Sequence, residues 1–255
     1  MKNFKGAQAQ KLIDIILLMG LGLLLLKYAV TGELRLLINP NYTSLVWVSG
    51  ILLIVVGGNK ISELFFRPKK MVLSADIQHL AIISPIWSSF FLLLTIVLGF
   101  LIPPQVLTSQ TALSRGISDS ALLTRSQPEL FRTFSKPENR SLVDWVRTLN
   151  AYPEPDAYRG QLAKISGFVI HSPKLPGNYI LLSRFVITCC AVDAYPVGIP
   201  VRLSANNKIY PDNTWLEISG LMEPDMLDKH SQLVLFPKTI KIIPTPSDPY
   251  NYSGN

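Results

Sequence analysis

Cysteine is almost absent from this chain: two occur in 255 residues, and they are neighbours, Cys189 and Cys190. The cross-linked framework that holds a small secreted scaffold together is thereby excluded, and stability has to come from packing. Histidine is nearly as scarce, at three residues. His79, His171 and His230 fall in no HExxH or His-x-His spacing, and a histidine without such a partner reads as a solvated or core side chain. Walker A, GxGxxG and GxSxG sequences are missing too, which removes the usual phosphate-cradling and acyl-transfer machinery. No motif argues for catalysis, so the expectation is a protein that is not an enzyme. Charge is also thin, at 16% of residues, against about 25% in ordinary soluble domains.

What charge there is lies unevenly. Residues 1–104 hold 9 Lys+Arg and 4 Asp+Glu, so the formal +7 divides into +5 before residue 105 and +2 after it. Phosphate binding needs a concentrated cationic surface, and a C-terminal part this close to neutrality leads us to expect no nucleic-acid partner. The charge-poor stretches are three apolar runs, at 12–30, 42–58 and 80–102. The first, about 19 residues at ~1.5 Å rise, comes close to spanning a ~30 Å hydrocarbon core. It is longer than the apolar region of a cleavable signal peptide, and Tyr28, Glu33 and Arg35 stand where a small-residue cleavage site belongs, so it reads as a retained span.

Lys2, Lys5 and Lys11 precede the first run, and Lys60, Arg67, Lys69 and Lys70 separate the second from the third. Lys and Arg collect in cytoplasmic loops, so both segments are expected inside and everything beyond Pro104 outside. The expected fold class is an α+β membrane protein: a transmembrane domain over 1–104 with a cytoplasmic N-terminus, then an extracytoplasmic β domain. Asp14 and Lys27 are the ionisable residues within the spans. They are roughly 20 Å apart along a helix and cannot pair; each lies near a span end, where it can snorkel. Asp14 stays a candidate functional residue, because an ionisable group at membrane depth raises that question. Gly20, Gly22, Gly50 and Gly99 suit close helix approach, and Ser88 and Ser89 suit hydrogen bonds across an interface.

Residues 105–137 read as a polar linker with a short helix around Glu129 to Phe134, and 138–255 as one domain. Ser141 and Asp144 approximate a capping box ahead of the helically spaced Leu142, Val143, Val146 and Leu149. From Gln161 the period falls to two. QLAKISGFVIHS, NYILLSRFVITCCAV, GIPVRLS, TWLEISGLME, QLVLFP and KTIKIIP are strand-like runs divided by turn residues. Their spacing predicts a small antiparallel, five-stranded, OB-like barrel, with Gly167 and Gly220 at its bends. The fold by itself names no ligand.

The most specific local feature is ITCCAVDAYPVG, residues 187–198. Thiolates there suit a soft metal ion such as Cu(I) or Zn(II), with Asp193 or His171 as further donors. Adjacent residues on a strand face opposite ways, so a shared ion requires the strand to bend. The plain alternative is two small buried apolar side chains. Arg184 is the nearest cation along the strand, and a depressed thiol pKa would favour a redox role.

The chain resembles the bacterial YcgQ-like family. The residues that carry the likeness are Ile38-Asn39-Pro40, Phe65-Phe66-Arg67-Pro68, GFLIPPQVLTSQTALSRG, Trp145, Tyr158-Arg159-Gly160 and Gly167-Phe168-Val169. The most specific block is Arg184 through Cys190 with Asp193 and Pro196-Val197-Gly198. The resemblance covers most of the chain and implies an accessory subunit in the bacterial plasma membrane, working with a separate multi-span permease. Some relatives carry a histidine-rich tract between the second and third spans, which would suggest metal handling. Here that loop, GNKISELFFRPKKMVLSADIQ, has no histidine before His79, so metal transport is not carried over from it. The functional expectation is a permease subunit whose outer domain meets solute or partner. The alternatives are an anchored thiol, metal-binding or redox protein, and a non-catalytic structural module.

Overall fold

The structure, a computed structural model, describes residues 2–66, 85–116 and 136–252. The expected helix around Glu129 to Phe134, the basic residues Arg67, Lys69 and Lys70, and His79 lie outside the described residues. The chain divides into two compact units, Met1–Gln105 and Val106–Asn255.

The first unit is helical: α1 (Lys2–Thr31), α2 (Thr43–Phe66) and α3 (Pro85–Leu101). Gln10–Thr31, 22 residues, and Pro40–Glu63, 24 residues, are each long and apolar enough to cross a membrane. At ~1.5 Å per residue both exceed a hydrocarbon core of ~30 Å. The third expected span is not matched. Among the described residues α3 is 17 residues long, about 25 Å. Pro85 stands at its first position, where a missing N–H costs nothing, and the helix ends before Pro103 and Pro104. The described helices thus give two candidate spans and one shorter apolar helix.

Small residues set how closely the helices meet. A Cβ on Gly22 would lie 2.9 Å from the Gly50 carbonyl oxygen, and one on Gly99 would lie 2.8 Å from the Leu24 side chain. Tyr28 Oη donates to the Gly99 carbonyl at 2.6 Å, so α1 is held to α3 by a hydrogen bond at the same place. Lys27 pairs with Glu33 at 3.4 Å. Leu45, Val48, Leu52 and Val55 of α2, and Trp87, Phe90 and Phe91 of α3, remain exposed. Apolar side chains therefore cover the outside of this unit as well as its inside.

In the second unit, α4 (Ser109–Ser114) and α5 (Leu142–Ala151) precede the strands. The α5 capping box forms as its sequence predicts: Ser141 Oγ accepts from the Asp144 amide at 3.2 Å and the Asp144 carboxylate accepts from the Ser141 amide at 3.1 Å. The strands are β1 (Gln161–Ile170), β2 (Tyr179–Ile187), β3 (Tyr195–Arg202), β4 (Trp215–Leu227), β5 (His230–Ile242) and β6 (Tyr250–Tyr252). Their neighbours run β1-β4-β5-β3-β2, and β1 also pairs with β2, closing a five-stranded barrel. Trp145, Leu142, Ile165, Ile180, Leu182, Ile199, Leu216 and Ile218 fill one core. Each such burial is worth roughly 1.5–3 kcal/mol before entropy is set against it.

Two expectations about the strands are corrected. The barrel is mixed rather than antiparallel throughout, since β3 meets β5 in parallel at Val201 and Leu235, and β6 lies parallel to β2. The runs QLVLFP and KTIKIIP form one strand, β5, which crosses Pro237 through an irregularity opposite Ser219 and Gly220. A proline donates no ladder hydrogen bond, so it is tolerated at such a bulge. Gly220 and Gly167 are where the backbones crowd: a Cβ on Gly167 would lie 2.5 Å from the Ser183 carbonyl oxygen, and one on Gly220 would fall on that of Phe236. Segment 106–116 belongs to this unit. Its Leu107 amide donates to Tyr250 Oη at 2.8 Å and its Ser109 amide to Asn213 Oδ1 at 2.6 Å.

Candidate metal centre

β2 ends at Ile187 and β3 begins at Tyr195, so both cysteines lie on the connecting loop, beyond the strand. Strand alternation does not apply to them there, and the required bend is supplied. The Cys189 and Cys190 Sγ atoms are 3.7 Å apart. Cys189 is exposed, Cys190 is half-buried and neither is in a disulfide. The reading of both as buried apolar side chains does not hold.

Asp193 fixes the shape of this loop. Its carboxylate accepts from the backbone amides of Cys189 at 2.7 Å, Thr188 at 3.2 Å and Cys190 at 3.3 Å. Its own amide donates to the Cys190 carbonyl at 3.0 Å. Asp side chains favour such local turns because they can replace the lost ladder partners. Arg115 holds the other half of the loop, its Nη1 donating to the carbonyls of Ala191 at 3.0 Å and Ala194 at 2.6 Å. Sequence reasoning missed Arg115, because an arginine in a polar connector carries no signal of where it will dock.

The electrostatics follow from this arrangement. The Cys189 thiol is pushed up to about 12 by its hydrogen bond to Asp193 and then by Cys190, since an anionic acceptor beside a thiol penalises the thiolate. Burial works to raise the Asp193 carboxyl. The hydrogen bonds from the Cys189 thiol and the three loop amides outweigh it and hold the carboxyl below its ordinary range. A depressed thiol pKa was the condition that favoured redox chemistry, and Cys189 shows the opposite shift.

One ligand atom from each of Cys189, Cys190 and Asp193 can be chosen so that all lie within 4.8 Å of one another. Tetrahedral zinc with Zn–S of about 2.3 Å sets its sulfurs about 3.8 Å apart, close to the 3.7 Å found. His171 is not brought to this group. It follows β1, and the antiparallel register sets Ile170 against Leu181, at the far end of β2 from the cysteines. There its Nε2 lies 3.2 Å from the Asn207 carbonyl and its Nδ1 3.5 Å from Asp212. Arg184 also points elsewhere: its guanidinium sits 5.4 Å over the Trp215 ring and donates to Asn251 at 3.1 Å. Burial lowers its pKa, with Asp248 opposing. In the helical unit, Gln10 Nε2 reaches both Asp14 Oδ1 and Ser89 Oγ at 3.2 Å, which makes Asp14 part of a polar contact between α1 and α3.

A separate cleft of about 720 Å³ opens between α5, β3 and the β4–β5 turn, lined by Leu149, Leu175, Gly198, Pro200, Leu227 and Gln232 among others. None of the three candidate ligands borders it.

No curated protein matches the chain. Residues 13–118 match the DUF1980 N-terminal domain and residues 137–253 the DUF1980 C-terminal domain, a family that is itself uncharacterised. The chain therefore carries both domains of the DUF1980 family, in order.

Proposed function

We propose that this protein is a membrane-anchored ion-capture subunit. The helical unit holds it in the bilayer, and the barrel presents Cys189, Cys190 and Asp193 to a soft or borderline divalent ion on the extracytoplasmic side. The observation that carries this reading is the 3.7 Å separation of two sulfurs on an exposed loop, with a carboxylate beside them. Thiolates with an oxygen donor suit zinc better than Cu(I), which favours sulfur alone. Structural zinc sites are closed by four protein ligands, whereas three leave a position open for exchange. An open position suits an ion that is handed onward, and the receiver would be the separate multi-span permease that the family resemblance implies.

On this reading the chain's own groups do three things. The two sulfurs grip the ion, Asp193 holds the loop in the shape that keeps them together, and both thiols release their protons as the ion enters. The test is metal analysis and cadmium titration of the full-length protein in mild detergent, for wild type and for the Cys189→Ser, Cys190→Ser double variant. One ion per chain, with a cadmium–thiolate charge-transfer band absent from the double variant, is the expected result. Wild-type protein that takes up neither zinc nor cadmium would refute the proposal.

A further inference from the structure

The loop that carries the cysteines has two sets of backbone polar groups, and each set is held by a different part of the chain. The amides of residues 188–190 are held by Asp193, from within the loop. The carbonyls of Ala191 and Ala194 are held by Arg115, more than seventy residues earlier. Arg115 closes segment 106–116, which follows α3 in the chain and is fastened to Tyr250 and Asn213 through Leu107 and Ser109. Ser109 and Ala112 are buried in the same unit.

An ion that takes Asp193 as its third donor draws on a carboxylate already committed to three amides. The Cys190–Asp193 turn must then readjust, and Ala191 and Ala194 lie in and beside that turn. Their carbonyls move with it, and Arg115 grips both.

We propose that Arg115 is a positioning residue that couples ion occupancy of the cysteine loop to the seating of segment 106–116. The proposal rests on the ion-capture reading above. It makes the stretch leading out of α3 a reporter of whether the loop is loaded. By reciprocity, the seating of that stretch sets how tightly the loop holds its ion. A capture subunit gains from this a way to take up its ion when the segment is displaced and to release it when the segment seats again.

The test uses full-length protein in detergent, cadmium as the probe, and hydrogen exchange of the amides in 106–116 and 188–194. In wild type, cadmium is expected to change exchange in both stretches. In Arg115→Ala the affinity for cadmium should rise about five- to tenfold, within the usual range of coupling between sites, because the contacts that loading disturbs are already gone. The loop should still respond to the ion while segment 106–116 no longer does, and Arg115→Lys should restore part of the response because an ammonium can still donate to a carbonyl. Unchanged exchange in β4 certifies that the barrel of each variant is folded. Equal cadmium affinity in wild type and Arg115→Ala, or a wild-type segment indifferent to cadmium, overturns the coupling while leaving ion capture standing. Wild type that binds no cadmium removes both.

Discussion

The protonation of Cys189 gives the sharpest test of the site's chemistry, because exposure and reactivity point in opposite directions there. An exposed thiol is ordinarily the one that reacts first, yet this one is pushed up to about 12 by Asp193 and Cys190. At pH 8 its thiolate fraction is about 10⁻⁴, against about 0.24 for a free cysteine of pKa ~8.5. The more basic thiolate is the better nucleophile, and a Brønsted slope of ~0.45 over ~3.5 pKa units returns a factor of about 40. Cys189 should therefore alkylate about 60-fold more slowly than a free thiol at pH 8. The assay is iodoacetamide modification read by mass spectrometry in a Cys190→Ser background, where a serine hydroxyl keeps an acceptor at that position. Rates should climb tenfold per pH unit well past pH 9, where a free thiol levels off. Asp193→Asn removes the anion and should bring the rate to within a few-fold of a free thiol. A wild-type Cys189 that reacts like glutathione, and is indifferent to Asp193→Asn, would refute the argued link between loop geometry and thiol chemistry.

The same proton makes ion binding pH-dependent: cadmium affinity should rise about tenfold per pH unit from Cys189 alone between pH 6 and 8, with no contribution from Asp193, which stays ionised there; titrations at three pH values check it. Gly220→Ala should cost about 3 kcal/mol or more in urea unfolding, because the new Cβ meets the Phe236 backbone oxygen, which has no rotamer to escape into. Gly22→Val should weaken the helical unit, read as a lower midpoint in detergent denaturation, since a Cβ there meets the Gly50 backbone and Ile54 at 2.9 Å. Asp225 is held below its ordinary range, chiefly by the hydrogen bond from Tyr179. A carboxyl depressed in the folded state contributes stability that is present above its unfolded value of ~3.9 and lost as pH falls through the folded value. Wild type should therefore lose stability below pH 4 that Asp225→Asn does not lose, as measured by urea unfolding from pH 5 to 2.5.

Much of the fold was legible because it rests on patterns the chain states locally. The Ser141–Asp144 box, the switch to period two at Gln161 and the glycines at the barrel bends each follow from one stretch of sequence and its sterics. What failed was non-local. The spacing of QLVLFP and KTIKIIP suggests two strands because Pro237 and Lys238 look like a turn, and only the pairing with β4, in which Lys238 bulges opposite Ser219 and Gly220, shows that they continue as one. β6 is three residues among prolines and owes its existence to the edge of β2. The third apolar run looked long enough to span because apolar residues flank Pro85 on both sides, whereas the described helix starts at the proline. In the site, Cys189, Cys190 and Asp193 were legible as a group because they are sequence neighbours. The sequence also allows His171 in that group, and the register of β1 against β2, which sets Ile170 opposite Leu181, removes it.

The part of the site that no sequence pattern announces is the one that decides how it works. A carboxylate that merely capped the loop would leave two thiols and a weak, two-coordinate grip. A carboxylate free of the backbone would leave the thiols without a fixed separation. Asp193 stands between these limits, committed to three amides yet near both sulfurs, so an ion that draws on its oxygens shares them with the hydrogen bonds that shape the loop. Each amide bond to a charged acceptor is worth about 1.5–3 kcal/mol, and loosening even one offsets roughly a tenfold to hundredfold share of the affinity. Such competition suits a site that loads and unloads rather than one that retains its ion for structure. The distinction can be measured: Asp193→Glu lengthens the arm, loosens the capping of the loop, and should slow cadmium release to a chelator, because the hydrogen bonds that draw the carboxylate off the ion are weakened. A release rate unchanged by that substitution would mean that the carboxylate and the ion never compete.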